Sequence, residues 1–281
     1  MRAFCCFALL IAGAAVPLTQ TFRSRADAVR VDVLVAQNGH PVRGLRASDF
    51  ELRDEGVLQK IALADVDKIP LSVVLVLDSS ASLAGQPMEF LRSAAGGLVN
   101  ALTPPDRAAL VSFNHAVAIR SEPSTDRGPI LSELLALEAK STTSLIDGVA
   151  AGLAFSDPRG GRVLTVVFSD GVDTSSWLGP ASVFKVADRA DAVVYGVVTE
   201  GGRRDSFLPK LTSATGGRVL EIASVDKLSE AFASVLDEFR TRYILAYTPT
   251  GVPAPGWHKI EVTVKGRRVT VDARRGYFAA Q

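Results

Sequence analysis

LSVVLVLDSSASLAG, residues Leu71 to Gly85, sets six apolar residues in seven against an abrupt polar end: Asp78, then Ser79, Ser80 and Ser82. A continuous apolar run of this length reads as a strand buried on both faces, as in a parallel sheet. A buried strand that stops in one carboxylate and three hydroxyls needs a cause.

Similar runs recur downstream at Ala108–Phe113, Val163–Phe168 and Val193–Val198. Helix-like segments separate them: Glu89–Leu102, Gly128–Leu137, Ser144–Phe155, Ser182–Arg189 and Phe207–Thr215. Apolar strands alternating with amphipathic helices predict an α/β fold, a doubly wound and mostly parallel sheet with helices on both faces. A strand at Arg218–Ile222 and a long helix at Val225–Arg240, with Leu228, Phe232, Val235, Leu236 and Phe239 on one stripe, close this domain.

The flanks follow a different period. Val29, Val31, Val33 and Val35 alternate, and DFELRDEGVLQKIAL reads as strand, turn and strand, with Val57, Gln59, Ile61 and Leu63 on one side. RYILAYTP, HKIEVTVKG and RRVTVDARRGYF are β again, punctuated by Pro and Gly. The expected organisation is a β segment at 27–68, an α/β domain at 69–241, and a β segment at 242–281 that pairs with the first into a small sandwich-like module.

Apolar residues make up 47% of the 281, ample for a packed core. The first 20 residues carry Arg2, an apolar run from Ala3 to Val16 and a small-residue site at Ala12-Gly13-Ala14, and are expected to be a secretory signal. The run is short of the roughly 20 apolar residues of a membrane span. Cys5 and Cys6 leave with that segment, so the mature chain is expected to hold no disulfide and no thiol ligand. What remains has 30 basic against 30 acidic residues and no basic block. That balance argues against nucleic acid and against electrostatic attachment to a membrane.

In doubly wound sheets, ligand sites form beyond the carboxyl ends of the strands at the switch point. DSSAS lies at such an end, and so does FSDGVD with Asp170; between them STTSLIDG places Thr143 just before a helix. Each alone reads as a helix cap or a turn. Together, two carboxylates and three hydroxyls at one edge repel or stay unpaired unless a cation sits among them. Hard oxygen donors suit Mg²⁺ or Mn²⁺, or Ca²⁺ in a roomier site.

Asp78-x-Ser80-x-Ser82, Thr143 in TSLID and Asp170 in SDG together resemble the metal-ion-dependent adhesion site of von Willebrand factor type A domains, over about Ile69 to Arg240. The flanks DFELRDEGVLQKI and RRGYF resemble an exported bacterial group related to that family. The resemblance implies that Ser80, Ser82 and Thr143 bind the metal through hydroxyls. It further implies that Asp78 and Asp170 act largely through water and that one position stays open for an Asp or Glu of a partner protein. Asn114 and Asp173 lie on neighbouring loops as candidate rim residues. Where many relatives have two glycines before the threonine, this chain has Ser141 and Thr142, which restricts that loop.

Four other readings compete with this one. A serine hydrolase needs a histidine beside Ser80 or Ser82; of His40, His115 and His258, His40 sits in a turn and His258 ahead of a tail strand, leaving only His115 in the α/β region. Zinc or iron ligand spacings and phosphate loops are missing, and Gly201-Gly202-Arg203-Arg204 reads as a solvated turn or a rim contact for an acidic partner. A scaffold whose metal only stabilises the fold shares every residue with the binding reading. The expected function is an exported, divalent-cation-dependent protein-binding module without enzymatic activity, without a nucleotide, and with no membrane span once the signal is removed.

Overall fold

The computed structural model describes residues 28–64, 69–155, 161–200, 206–253 and 255–279. The expected signal segment and the Gly201–Arg204 turn lie outside the described residues. Among those residues, no helix is long and apolar enough to cross a membrane.

Five strands come first: β1 (Val29–Gln37), β2 (His40–Pro41), β3 (Phe50–Asp54), β4 (Val57–Leu58) and β5 (Ala62–Leu63). The α/β part then runs β6 (Leu71–Asp78), α1 (Gln86–Asn100), β7 (Arg107–Phe113), β8 (Val117–Ser124), α2 (Gly128–Leu135) and α3 (Leu145–Leu153). It continues with β9 (Arg162–Ser169), α4 (Pro180–Ala187), β10 (Ala192–Thr199), α5 (Phe207–Thr215), β11 (Val219–Ile222) and α6 (Leu228–Arg240). Four strands end the chain: β12 (Tyr243–Tyr247), β13 (Gly256–Val264), β14 (Thr270–Ala273) and β15 (Gly276–Ala279).

The central sheet has the order β11-β10-β9-β6-β7-β8 and is parallel except for the β7–β8 pair. All eight residues of β6 are buried. Val73, Leu75 and Leu77 face a core shared with Leu91 of α1 and with Phe232 and Phe239 of α6, while Val74 and Val76 face Val149 of α3 and Leu208 of α5. Two covered faces explain why Leu71–Leu77 shows no alternation. Helix α3 lies very close to the sheet: a Cβ at Gly152 would stand 2.4 Å from Val76 Cγ2. That approach carries the loop ahead of α3 to the end of β6.

The flanking strands form two antiparallel sheets, β14-β1-β12-β5 with β2 beside β1, and β15-β13-β3-β4. Each combines strands from both ends of the chain. Val31, Val33 and Val35 of β1 pack with Leu52, Leu245 and Ile260 in a core common to the two sheets, so the period-2 pattern marks the inward face of a sandwich.

Several local expectations are corrected. β8 is absent from the apolar runs, because VAIRSEPS is a half-exposed antiparallel edge strand. The stretch after Gly56 does not form one strand: Val57 is exposed, the Gln59 amide turns inward to the carbonyl of Thr250 at 3.0 Å, and Ala62–Leu63 joins the other sheet beside β12. His258 lies inside a strand and is buried, its Nδ1 2.9 Å from Asp54 Oδ1. Helices α1 and α4 start earlier than Glu89 and Ser182, because Pro87 and Pro180 are first-turn residues and do not act as breakers.

Candidate metal centre

Chain order runs outward from β6 to β7 and β8, then returns to β9 on the other side of β6. The carboxyl ends of β6 and β9 are therefore the switch point of the sheet. Asp78 is the last residue of β6, and Asp170 directly follows β9.

Asp78 is fully buried. Its Oδ1 accepts the Ser80 main-chain N–H at 2.8 Å and its Oδ2 accepts the Ser169 hydroxyl at 2.8 Å. Above it runs a line of oxygens: Ser80 Oγ lies 3.0 Å from Ser82 Oγ, and Ser82 Oγ donates to Asp170 Oδ1 at 3.0 Å. The loop bearing Thr143 is laid across this cluster by two main-chain bonds, Lys140 N–H to the Ser79 carbonyl at 2.9 Å and Ala81 N–H to the Ser141 carbonyl at 3.0 Å. Thr143 is buried beside the cluster.

Burial pushes the Asp78 carboxyl up to about 6; the bonds from Ser80 and Ser169 oppose that shift, and the Asp170 charge adds to it. Neither Asp78 nor Asp170 has an ion pair among the described residues. Two acids with no counter-charge, joined by hydroxyls, form a donor set that fits a hard divalent cation. Neighbouring ligands of an octahedral Mg²⁺ at 2.0–2.1 Å stand about 3 Å apart, which is the spacing already present along Ser80, Ser82 and Asp170. No group of three or more His, Cys, Asp or Glu gathers among the described residues. The cluster here is built from two carboxylates and hydroxyls.

Asn114 and Asp173 face the scaffold. The Asn114 amide donates to Ser79 Oγ at 3.3 Å and its oxygen accepts the Ala116 N–H at 3.0 Å, bracing the backbone behind the cluster. Asp173 accepts the Ile146 N–H at 3.2 Å and the Ser176 hydroxyl, so it caps the start of α3. Ser169 and Asp147 were missed as contributors. Ser169 stands beside Asp170 in FSDG and could have been read as pointing to the other side of that strand end. Asp147 acts on residues thirty positions away, and no local pattern marks it.

Ser141 has φ 66°, the left-handed region that a side chain disfavours by about 1–2 kcal/mol. Glycine there would relieve this strain but lose more chain entropy on folding. Ser141→Gly is expected to stabilise the metal-free protein by roughly 0.5–1 kcal/mol, about 2 °C in Tm by thermal unfolding. An unchanged or lower Tm would mean that the loop carries no strain at this residue.

The family model of the von Willebrand factor type A domain matches residues 72–234, more than half of the chain. A solved von Willebrand factor type A protein from Catenulispora acidiphila superposes with a TM-score of 0.56 at 13% identity, over 92% of this chain and 76% of that one. Proximal thread matrix protein 1 from the mussel byssus, in a structure with a zinc-occupied MIDAS motif, gives a TM-score of 0.52 at 15% identity, over 60% of this chain and 48% of that one. The uncharacterized protein sll0103 of Synechocystis is 33% identical over 88 residues, 31% of this chain and 21% of its own length. The match thus spans about half of the mussel protein and a fifth of the Synechocystis one.

Proposed function

The chain belongs to the von Willebrand factor type A domain family, and from that premise we propose that it is an exported, divalent-cation-dependent protein-binding module. Domains of this family are interaction modules and are generally not enzymes. The observation that carries the metal reading is the pair of acids Asp78 and Asp170, without a counter-charge among the described residues and bridged by Ser80 and Ser82. Ser80, Ser82 and Thr143 would hold the cation through hydroxyls, with Asp78 and Asp170 supplying charge largely through water. When bound, the cation supplies an electrophilic position that takes the carboxylate of a partner's Asp or Glu. Mg²⁺ is the first candidate, with Mn²⁺ and Ca²⁺ as alternatives. Zinc enters as a further arm, because the mussel protein holds it in its own motif. Export rests on the apolar stretch of residues 1–20.

Calorimetric titration of each cation into the full chain tests this reading, followed by Gly-Gly-Asp-Gly into the loaded protein. Saturable one-site metal binding, with peptide heat only when metal is present, is the expected result. Metal binding that raises Tm and never supports peptide binding would favour the scaffold role instead. The absence of metal binding would leave the cluster as caps and turns.

A further inference from the structure

Residues 170–179 lead away from the candidate centre and present Trp177, 94% exposed, followed by Leu178 at 42%. Single exposed apolar residues are ordinary and need no cause. This one is unusual in how firmly its backbone is held. Asp147, in the first turn of α3, accepts the Trp177 N–H at 2.8 Å with one carboxylate oxygen and the Leu178 N–H at 2.9 Å with the other. Upstream, the Thr174 and Ser175 N–H groups both donate to the carbonyl of Thr143, at 2.8 and 3.1 Å. The Thr142 hydroxyl donates to Ser175 Oγ at 3.0 Å, Ser144 Oγ lies 2.9 Å from the same atom, and the Asp147 N–H donates to Ser176 Oγ at 3.1 Å. The loop is thus stitched to the segment that bears Thr143, entirely by polar bonds. None of these bonds uses the indole, which stands in solvent on a backbone already ordered.

We propose that Trp177, with Leu178 beside it, is a second anchor on the partner-binding face, selecting a protein segment in which an acidic residue has an apolar neighbour. This rests on the metal reading above. A cation accepts any carboxylate, so it gives affinity with little discrimination; discrimination requires a further contact that wrong partners cannot make. Tryptophan is the residue most enriched among contacts that dominate binding, and a pre-ordered loop removes part of the entropy lost on association. The position suits that role, because the Asp147 carboxylate and the Thr143 carbonyl together tie the loop that bears Trp177 to the segment that bears Thr143.

The test is selection of a random heptapeptide phage library on the immobilised full chain in Mg²⁺, with elution by EDTA, for wild type, Trp177→Ser and Trp177→Phe. The wild-type pool is expected to be acidic, with apolar residues enriched about 10-fold or more beside the acid, the ratio that one such anchor commands. In the Trp177→Ser pool that enrichment falls to background, and Trp177→Phe keeps most of it. Equal enrichment in Trp177→Ser, or an acid requirement with no apolar preference, overturns the proposal and leaves the metal reading standing. A pool without acid or EDTA dependence overturns the metal reading and this proposal with it. Concentration-dependent dimerisation in sedimentation that Trp177→Ser abolishes would reassign the anchor to a second copy of this chain.

Discussion

Asp78→Asn is expected to make the metal-free protein more stable at pH 8 while abolishing its binding of Mg²⁺. The carboxyl is fully buried and is pushed from 3.8 up to about 6 by that burial and by Asp170. Its folded form therefore prefers the proton. Well below pH 4 it is protonated in the folded and the unfolded chain alike, and the substitution changes little. Between about 4 and 6 the folded protein keeps a proton that the unfolded chain has given up, so wild-type stability falls as pH rises. Above that window the full penalty is present, roughly 3 kcal/mol for a shift of about two units. Asparagine removes the charge and keeps both bonds: its oxygen accepts the Ser80 N–H, and its amide donates to Ser169 Oγ. The Tm gap between the two proteins in EDTA should open from near zero at low pH to roughly 6 °C at pH 8. A cation reverses the order, since saturating Mg²⁺ raises the wild type and leaves the variant unchanged. Scanning calorimetry at both pH values, with EDTA and with Mg²⁺, reads all four arms. Equal wild-type and variant Tm values in EDTA at pH 8 would show that Asp78 is not ionised at a penalty, and the charge argument for a cation would fall.

That penalty is what made the site legible. A strand that must be apolar on both faces cannot hold an acid in passing, so Asp78 at the end of Leu71–Leu77 stood out from sequence alone, and Asp170 stood out in the same way after Val163–Phe168. Continuous runs announce central strands for the same reason. Edge strands carry no such signal: β8 has one neighbour and much solvent, and its residues alternate only loosely. The split of residues 57–63 between two sheets was hidden because it depends on Thr250 and β12, which lie nearly two hundred positions away. Asp147 carries no mark of its role in TSLID, since its work is done on Trp177 and Leu178 across a gap that only the fold closes. What is legible is what a residue's own segment demands, and what is missed is supplied by a partner from elsewhere in the chain.

The join between the β module and the central sheet is such a case, and breaking it is expected to have the largest effect on stability. Arg162 opens β9 at the edge opposite the candidate centre, with its side chain 3% exposed against 17% for Asp32 of β1. Its Nε donates to Asp32 Oδ1 at 2.8 Å, its Nη2 donates to the same oxygen and to the Phe239 carbonyl at 2.9 Å, and the guanidinium sits 4.3 Å over the Phe239 ring. One side chain thus ties β1, β9 and the end of α6. Arg162→Met fills similar space but strands a carboxylate and a carbonyl, and should cost about 3–5 kcal/mol. Asp32→Leu alone should also destabilise, because it leaves the buried guanidinium without its counter-charge. The double variant should recover much of the loss, since a well-packed apolar pair can match a buried ion pair. Urea unfolding of the four proteins gives the coupling energy, with an unchanged slope showing that the unfolded state is not the cause. A coupling above roughly 2 kcal/mol would mean that the module and the sheet are clamped by this pair. Near-additive losses would place the join in the apolar contacts around it, and the ion pair would then serve to fix the angle between the two sheets more than to hold them together.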